Sequence, residues 1–378
     1  MRRSTERILT THAGSLARPA DLREMVIAKN GGEPYDEAAL AGRLRSAVIQ
    51  VVQQQVESGL DSINDGEFSK FNFTSYARER LSGHEQRTAV PGEVLSKIYG
   101  RDALEFPEYF EGRGNLGGAE VICTGPLTYI GHTALQADID NFKVALQGVE
   151  DTEAFLPAVA PGTIEHWMEN SYYEKDEDVL NAIADAMHEE YKAITDAGFL
   201  LQIDDPDLAD AWQIHPEMSV AQYRAFAELR IEALNYALRD IPEESIRFHM
   251  CWGSYHGPHV YDIALTDIIN IILKVKAVGY SIEASNPRHE HEWRVFEDVK
   301  LPDGKSLIPG VVGHASDFVE HPELIAQRLV RYGQIVGREN VIAGTDCGLG
   351  TRVGHPKIAW AKFEALAEGA ALATKQLW

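Results

Sequence analysis

The stretch Arg247-Phe248-His249-Met250-Cys251-Trp252-Gly253 reads as a strand running into a loop. Side chains at i and i+2 share one face of a strand, so the His249 imidazole and the Cys251 thiol can converge on one point. Two further stretches have the same form. Glu283 lies in Gly279-Tyr-Ser-Ile-Glu-Ala-Ser-Asn-Pro287, and Cys347 in Val341-Ile-Ala-Gly-Thr-Asp-Cys-Gly348. Each ends a short apolar run that breaks into Gly, Asn or Pro. Three strand ends would then supply His249, Cys251, Glu283 and Cys347, a borderline-soft ligand set that suits Zn2+. A lone His-x-Cys is more often a buried imidazole beside a small hydrophobe. The two matching stretches give the pattern its weight.

Outward from these ends, short apolar runs alternate with helical patterns. Residues 36–58 repeat apolar side chains at helical spacing (Leu40, Leu44, Val48, Val51-Val52, Val56) and stop at Gly59. Further helices are expected over 176–197, 220–238, 262–278, 322–336 and 360–373. Strands are expected at the first apolar run before Thr11 and over 62–64, 119–123, 155–159, 199–203, 246–250, 280–283, 307–312 and 341–344. Strand and helix in alternation, with polar chemistry at each strand's C-terminal end, argue for an α/β fold of the TIM-like (β/α)8 type. Nine strands compete for eight places, and 119–123 is the expected extra element. Residues 82–118 are rich in Gly, Pro and charge and lack a periodic core. They read as an excursion over the barrel mouth, inserted into one barrel domain spanning 1–378.

Composition narrows the function. A chain of 378 residues can bury a full core, and 44% hydrophobic and 25% charged residues are ordinary for a globular protein. A formal charge of −23, from 35 basic and 58 acidic residues, opposes nucleic acid as a partner, because binding there depends on cations displacing counterions. No apolar run reaches the roughly 18 residues of a membrane span, and no signal-peptide core follows Met1-Arg-Arg, so a cytoplasmic location is expected. Three cysteines make no disulfide scaffold; Cys123 reads as a buried strand residue. Small-molecule partners are expected, and a homo-oligomer is compatible.

Further segments join the ligand stretches: Thr10-Thr11-His12-Ala13-Gly14-Ser15-Leu16 with Arg18-Pro19, Gly59-Leu-Asp-Ser-Ile-Asn-Asp-Gly-Glu67, Leu201-Gln202-Ile203-Asp204-Asp205-Pro206, and Pro309-Gly310-Val-Val-Gly-His314. Together, and in this order, they resemble the catalytic C-terminal half of cobalamin-independent methionine synthase. The family also has short, single-half members, including zinc-dependent epoxyalkane:coenzyme M transferases, whose size this chain resembles. The resemblance implies a zinc-dependent alkyltransferase in methionine biosynthesis, which activates a homocysteine-like thiol as thiolate for attack on 5-methyltetrahydrofolate or a similar methyl donor. It implies that the Gly14-Ser15 backbone holds an amino-acid carboxylate, that Glu67 and Asp204 hold the amino group, and that His314, assisted by Asp205, protonates the leaving group.

Alternatives stay open. Glu67 and Asp204 could instead orient loops, and a sulfonated thiol opening an epoxide would want cations, of which Lys70, Arg288 and Arg352 lie near the motifs. A non-catalytic barrel with a structural zinc is a third reading, since four protein ligands close a site unless one, most readily the Glu283 carboxylate, gives way. His12 is a further candidate in the first loop, whereas His256, His259, His289 and His291 read as solvated loop residues. The chain departs from the family in lacking the long enzyme's N-terminal half. The 32-residue gap from Cys251 to Glu283 is also long, which implies an enlarged loop near 256–261. Trp212 and Trp252 are the aromatic candidates for seating a folate.

Overall fold

The computed structural model describes residues 1–73, 75–88, 100–111 and 119–378. Its strands are β1 (Leu9–Thr10), β2 (Ser62–Ile63), β3 (His84–Thr88), β4 (Ala119–Cys123), β5 (Glu153–Val159), β6 (Met168–Asn170), β7 (Leu200–Asp204), β8 (Ile246–Met250), β9 (Gly279–Glu283), β10 (Ser306–Val312) and β11 (Ile342–Thr345). Eight of them form one parallel sheet in the order β1-β11-β10-β9-β8-β7-β5-β2. The two ends of that order meet: the Asp61 N–H donates to Thr10 O (3.0 Å), and the Thr11 hydroxyl donates to Ser62 O (3.2 Å). The sheet therefore closes into the expected (β/α)8 barrel, with buried runs such as Ile246–Met250 and Ser306–Val312 forming its wall.

Three strands lie outside the barrel among the described residues, and one of them, β4, is the expected surplus element. β4 leaves the barrel and pairs antiparallel with β3 and parallel with β6 in a small separate sheet. Cys123, on β4, is buried, and its thiol donates to Gly125 O (3.4 Å). The excursion expected over about 82–118 falls partly outside the described residues, including Tyr99. Its described stretch 100–111 crosses the loops after β7 and β8: Arg101 donates to the carbonyls of Trp212 (2.8 Å) and His215 (2.7 Å), and Tyr109 OH to that of His256 (2.9 Å). That position is the C-terminal face of the barrel.

Helices wrap the outside, and one apolar cluster runs from Ile8 to Ala373. The helix Glu37–Glu57 begins where Asp36 caps it by accepting from the Ala39 N–H (3.0 Å). The helix expected over 262–278 is shorter, Leu265–Ile272, because Asp262 is held in the preceding loop by His259 and His289. The last helix is longer than expected, Pro356–Leu377, with Pro in its first turn and the His355 ring accepting from the Lys357 N–H. Helices Ala20–Asn30, His132–Ala145 and Asp207–Ile214 lie outside the expected set, although Leu135, Ile139, Phe142 and Ala145 of the second recur at helical spacing and are buried.

The β1–β2 seam rests on Asp61. Its carboxylate accepts from the Thr10 N–H (2.9 Å) and hydroxyl (3.1 Å) and from Arg7. Burial alone would raise this carboxyl, but Arg7 and Thr10 hold it below the usual carboxylate range. A depressed folded-state pKa contributes stability above the unfolded value, about 3.9, and loses it as pH falls through the folded value. Asp61→Asn is expected to destabilise the chain by about 1–3 kcal/mol at pH 7. In thermal melts against pH, its gap to the parent should close below about pH 4; a constant gap down to pH 2.5 would assign the loss to shape rather than charge.

Candidate active site

Strand register stacks the polar side chains. Asp204 on β7 pairs with His249 on β8, and His249 with Ser281 on β9, so one inward layer holds all three. His249 Nδ1 meets Ser281 Oγ at 3.2 Å, which leaves Nε2 for the interior. That Nε2 is buried without an oxygen or nitrogen partner, and its neighbours are sulfurs. The ligand atoms of His249, Cys251 and Cys347 all lie within 4.8 Å of one another. Cys251 sits one residue past β8, and Cys347 two past β11, where Thr345 Oγ1 donates to Cys347 O (3.0 Å) and accepts the Ala13 N–H (3.1 Å). The Cys251 thiol beside it, and then His249, hold the Cys347 thiol well below its ordinary value. One imidazole and two thiols around an unsatisfied buried nitrogen fit a thiophilic divalent cation.

Glu283, the last residue of β9, is close by but belongs to another group. Its carboxylate accepts from the Trp252 N–H (3.0 Å) and the Asn286 amide (3.1 Å), and its oxygens lie within 4.8 Å of His314 and Asp346 rather than in the sulfur group. His314 is 2% exposed, and both of its ring nitrogens lack a hydrogen-bond partner among the described residues.

The sulfur group opens on a cavity of about 380 Å³ at the C-terminal ends of the strands. Ser15, Glu67, Asp204, His249, Cys251 and Cys347 all line it. Burial pushes the Asp204 carboxyl up to about 7, His249 lowering and Glu67 raising it, while Gln202 bridges Asp204 Oδ1 to Ala13 O at 2.7 Å each. Glu67 is likewise raised by burial, eased by Lys70 and Arg18. It occupies a left-handed backbone conformation (φ 57°), supported by its N–H donating to Asp65 Oδ1 (2.9 Å) and by Arg18 donating to its carbonyl (2.7 Å).

Of the expected site residues, Gly14 stands against Glu67, whereas His314 and Asp205 are not cavity-lining. Asp205 turns to the Thr163 hydroxyl (2.9 Å), and its N–H donates to His249 O (2.9 Å). His12 is a core residue bonded to Gln55 (2.8 Å), and burial drives its pKa down to about 3. His256 and His291 are exposed, but His259 and His289 are not the solvated residues expected: both are buried and share Asp262 Oδ2 (2.8 and 2.9 Å). Trp252 is fully buried, with its ring stacked 3.7 Å from His289, and Trp212 is covered by Arg101, so neither is a platform for a ligand.

The aromatic wall is instead Phe71, Phe73, Trp167 and Tyr255, with Asp207 and Asp210 beside it. The two aspartates stand three residues apart at the start of the helix after β7, a spacing that shares one face. Nothing local marks Trp167 or Tyr255. Of the cations, Lys70 and Arg352 line the cavity and Arg288 does not.

The barrel and this face define a (β/α)8 protein whose thiol-and-imidazole group opens on a space for a small molecule. The family model described as the cobalamin-independent synthase catalytic domain matches residues 158–368. The chain belongs to the cobalamin-independent methionine synthase family, a family of methyltransferases. It is 25% identical over 381 residues to a methionine synthase of Saccharolobus solfataricus, covering 97% of this chain and 95% of that one. It is 29% identical over 350 residues to the 5-methyltetrahydropteroyltriglutamate–homocysteine methyltransferase of Thermotoga petrophila, covering 91% of this chain and 41% of that one. The B12-independent methionine synthase of a Shewanella species, solved with selenomethionine, shares the fold at TM-score 0.73 and 19% identity over 98% of this chain and 99% of that one. Among the described residues, no helix is long and apolar enough to cross a membrane.

Gly14 tests the packing of this face. It adopts φ +148°, and a Cβ there would lie 2.8 Å from Glu67 Oε1. Gly14→Ala is expected to cost about 1–3 kcal/mol in chemical denaturation, with Glu67 displaced in a crystal structure; an unshifted Glu67 and unchanged stability would refute the close approach.

Proposed function

We propose that this methyltransferase is zinc-dependent and cytoplasmic, and that it transfers the methyl group of 5-methyltetrahydrofolate or a similar donor to a homocysteine-like thiol, with residues 1–378 acting as one catalytic domain. The observation that carries the reading is that His249, Cys251 and Cys347 converge at the wall of the cavity that Glu67 and Asp204 also line. Three protein ligands and an open position are the arrangement of a catalytic zinc, whereas four close a structural one. Zinc held there would take a thiol substrate as its thiolate. Glu283, which rests on the Trp252 N–H and Asn286 outside the sulfur group, would fill that fourth position only until the thiol displaces it.

The chain's own residues then bind and orient. Glu67 and Asp204, whose carboxyls burial has raised, gain most from an entering ammonium, which favours their charged forms. The Gly14-Ser15 backbone lies beside them for the substrate carboxylate. Lys70 is engaged with Glu67 (3.8 Å) and Pro157 O, and Arg18 with three carbonyls, so a sulfonate would have to rely on Arg352 at the exposed rim. That balance supports an aminothiol over a sulfonated one, as do the names of the relatives. His314, assisted by Asp205, is assigned the proton for the leaving group, which requires its ring to reach forward from behind the cavity wall.

Metal analysis tests the first part: about one zinc per chain is expected, with strong loss in Cys251→Ser and in Cys347→Ser. Full retention in both variants would refute the site. His314→Gln is expected to keep its zinc and its fold while slowing turnover with homocysteine and a methylfolate by about 10²- to 10⁴-fold. A parent rate would remove His314 from the chemistry, and loss of zinc would make it a ligand or a support for one.

A further inference from the structure

β9 and β11, whose ends carry Glu283 and Cys347, are not neighbours in the barrel, because β10 lies between them. Asp346 spans that gap. One of its carboxylate oxygens accepts the backbone N–H groups of Ala284 (2.8 Å) and Ser285 (2.9 Å), and the other accepts the Ser285 hydroxyl (2.5 Å). Its own N–H donates to Val312 O (2.9 Å) at the end of β10. The residue is 1% exposed, so these bonds do not compete with water. Room for the crossing comes from Gly310 on β10, where a Cβ would overlap both the Asp346 carboxylate and its main chain. Gly310 is in register with Glu283 on one side and Gly344 on the other, directly beneath the span.

We propose that Asp346 is a positioning residue of the metal site, a brace that sets the Cys347 loop against the Glu283 loop across β10, with Gly310 as its seat. The proposal rests on the zinc reading above. The physical case is local. Ala284 directly follows Glu283, so fixing its N–H fixes the peptide plane from which the Glu283 side chain departs, and the same aspartate directly precedes Cys347. One rigid carboxylate thus orients a carboxylate donor on one side and a thiol donor on the other. In Asp346→Asn the amide oxygen can keep the Ala284 and Ser285 N–H groups while its NH2 donates to Ser285 Oγ, which accepts as readily as it donates, so the span survives without its charge; Asp346→Ala removes all three bonds. The loops would be left to set their own spacing.

The test measures zinc affinity by competition with a chromophoric chelator, together with the thermal midpoint of the metal-free protein, on the full-length chain. Asp346→Ala is expected to bind zinc about 10- to 100-fold more weakly, the usual effect of losing a partner that orients a ligand, in a metal-free protein whose midpoint is lowered by the lost buried bonds but which is still folded at the assay temperature; Asp346→Asn, which keeps the span, is expected to stay close to the parent's affinity. Ser285→Ala and Gly310→Ala keep the aspartate charge, so weaker binding in both would show that geometry and not charge is at work. Parent affinity in Asp346→Ala, or an Asp346→Asn as weak as Asp346→Ala, would overturn the brace. Should Asp346→Ala fail to fold, Ser285→Ala decides, and parent affinity there overturns it. A parent chain that binds no zinc overturns the metal reading and the brace with it, whereas a zinc-binding parent with an indifferent Asp346→Ala overturns the brace alone.

Discussion

A guanidinium inside the barrel is the constraint on which the remainder turns. Arg247 points inward from β8 and is 1% exposed, donating to Thr11 Oγ1 (2.9 Å), Ser62 Oγ (3.4 Å) and His12 O (2.7 Å). Its guanidinium also lies 4.1 Å over the Phe155 ring. Withdrawing such a charge from water costs several kcal/mol unless its donors are met; here Nη1 and Nη2 find acceptors on and just after the two shortest strands of the barrel, while Nε has none among the described residues. β1 and β2 contribute two residues each and have little ladder of their own. Burial pushes the Arg247 pKa down to about 10, so the group stays charged near neutrality and the bonds persist.

The same strand sets the chemistry. Because side chains alternate with a period of two, placing Arg247 in the interior places His249 there as well, one layer nearer the C-terminal face, beside Asp204 and Ser281. Each step toward that face exchanges packing for polarity. Behind the layer, the loop after β8 is held by Asp262 between His259 and His289, while Tyr255, a cavity wall residue, donates to Asp102 (3.0 Å) from the inserted segment. Asp102 thereby fixes a wall of the cavity from outside the barrel sheet. Trp252, stacked on His289 and donating its backbone N–H to Glu283, passes that rigidity to the metal side.

An excess of carboxyl groups over available cations gives the cavity its character. Glu67, Asp204, Asp207 and Asp210 all carry carboxyls that burial raises, and two cations that could offset them, Arg18 and Lys70, are committed to backbone carbonyls. A site poised in this way gains from any ligand that brings positive charge or hydrogen-bond donors. One layer below the thiols, the barrel interior is occupied by Gln202 and Arg247, which donate to Ala13 O and His12 O just past β1.

How much of this was legible in the chain follows from the range of each interaction. The barrel was, because an apolar run that breaks into Gly, Asn or Pro is a local signal, and it recurs at His249, Glu283, His314 and Cys347. The count of nine strands for eight places showed that one lies outside the barrel, and Ala119–Cys123 does, but nothing in the count marked β3 and β6 beside it. The convergence of His249, Cys251 and Cys347 followed from strand period and the resemblance of their segments. What lay beyond reach was every relation across strands. That Glu283 rests on the Trp252 N–H, that Asp205 turns to Thr163, that His259 and His289 are buried around Asp262, and that Trp167 and Tyr255 wall the cavity all depend on how loops of different strands pack. Sequence spacing determines which side chains share a strand face, whereas only the closed barrel, with its register and the bonds between loops, decides which of them meet.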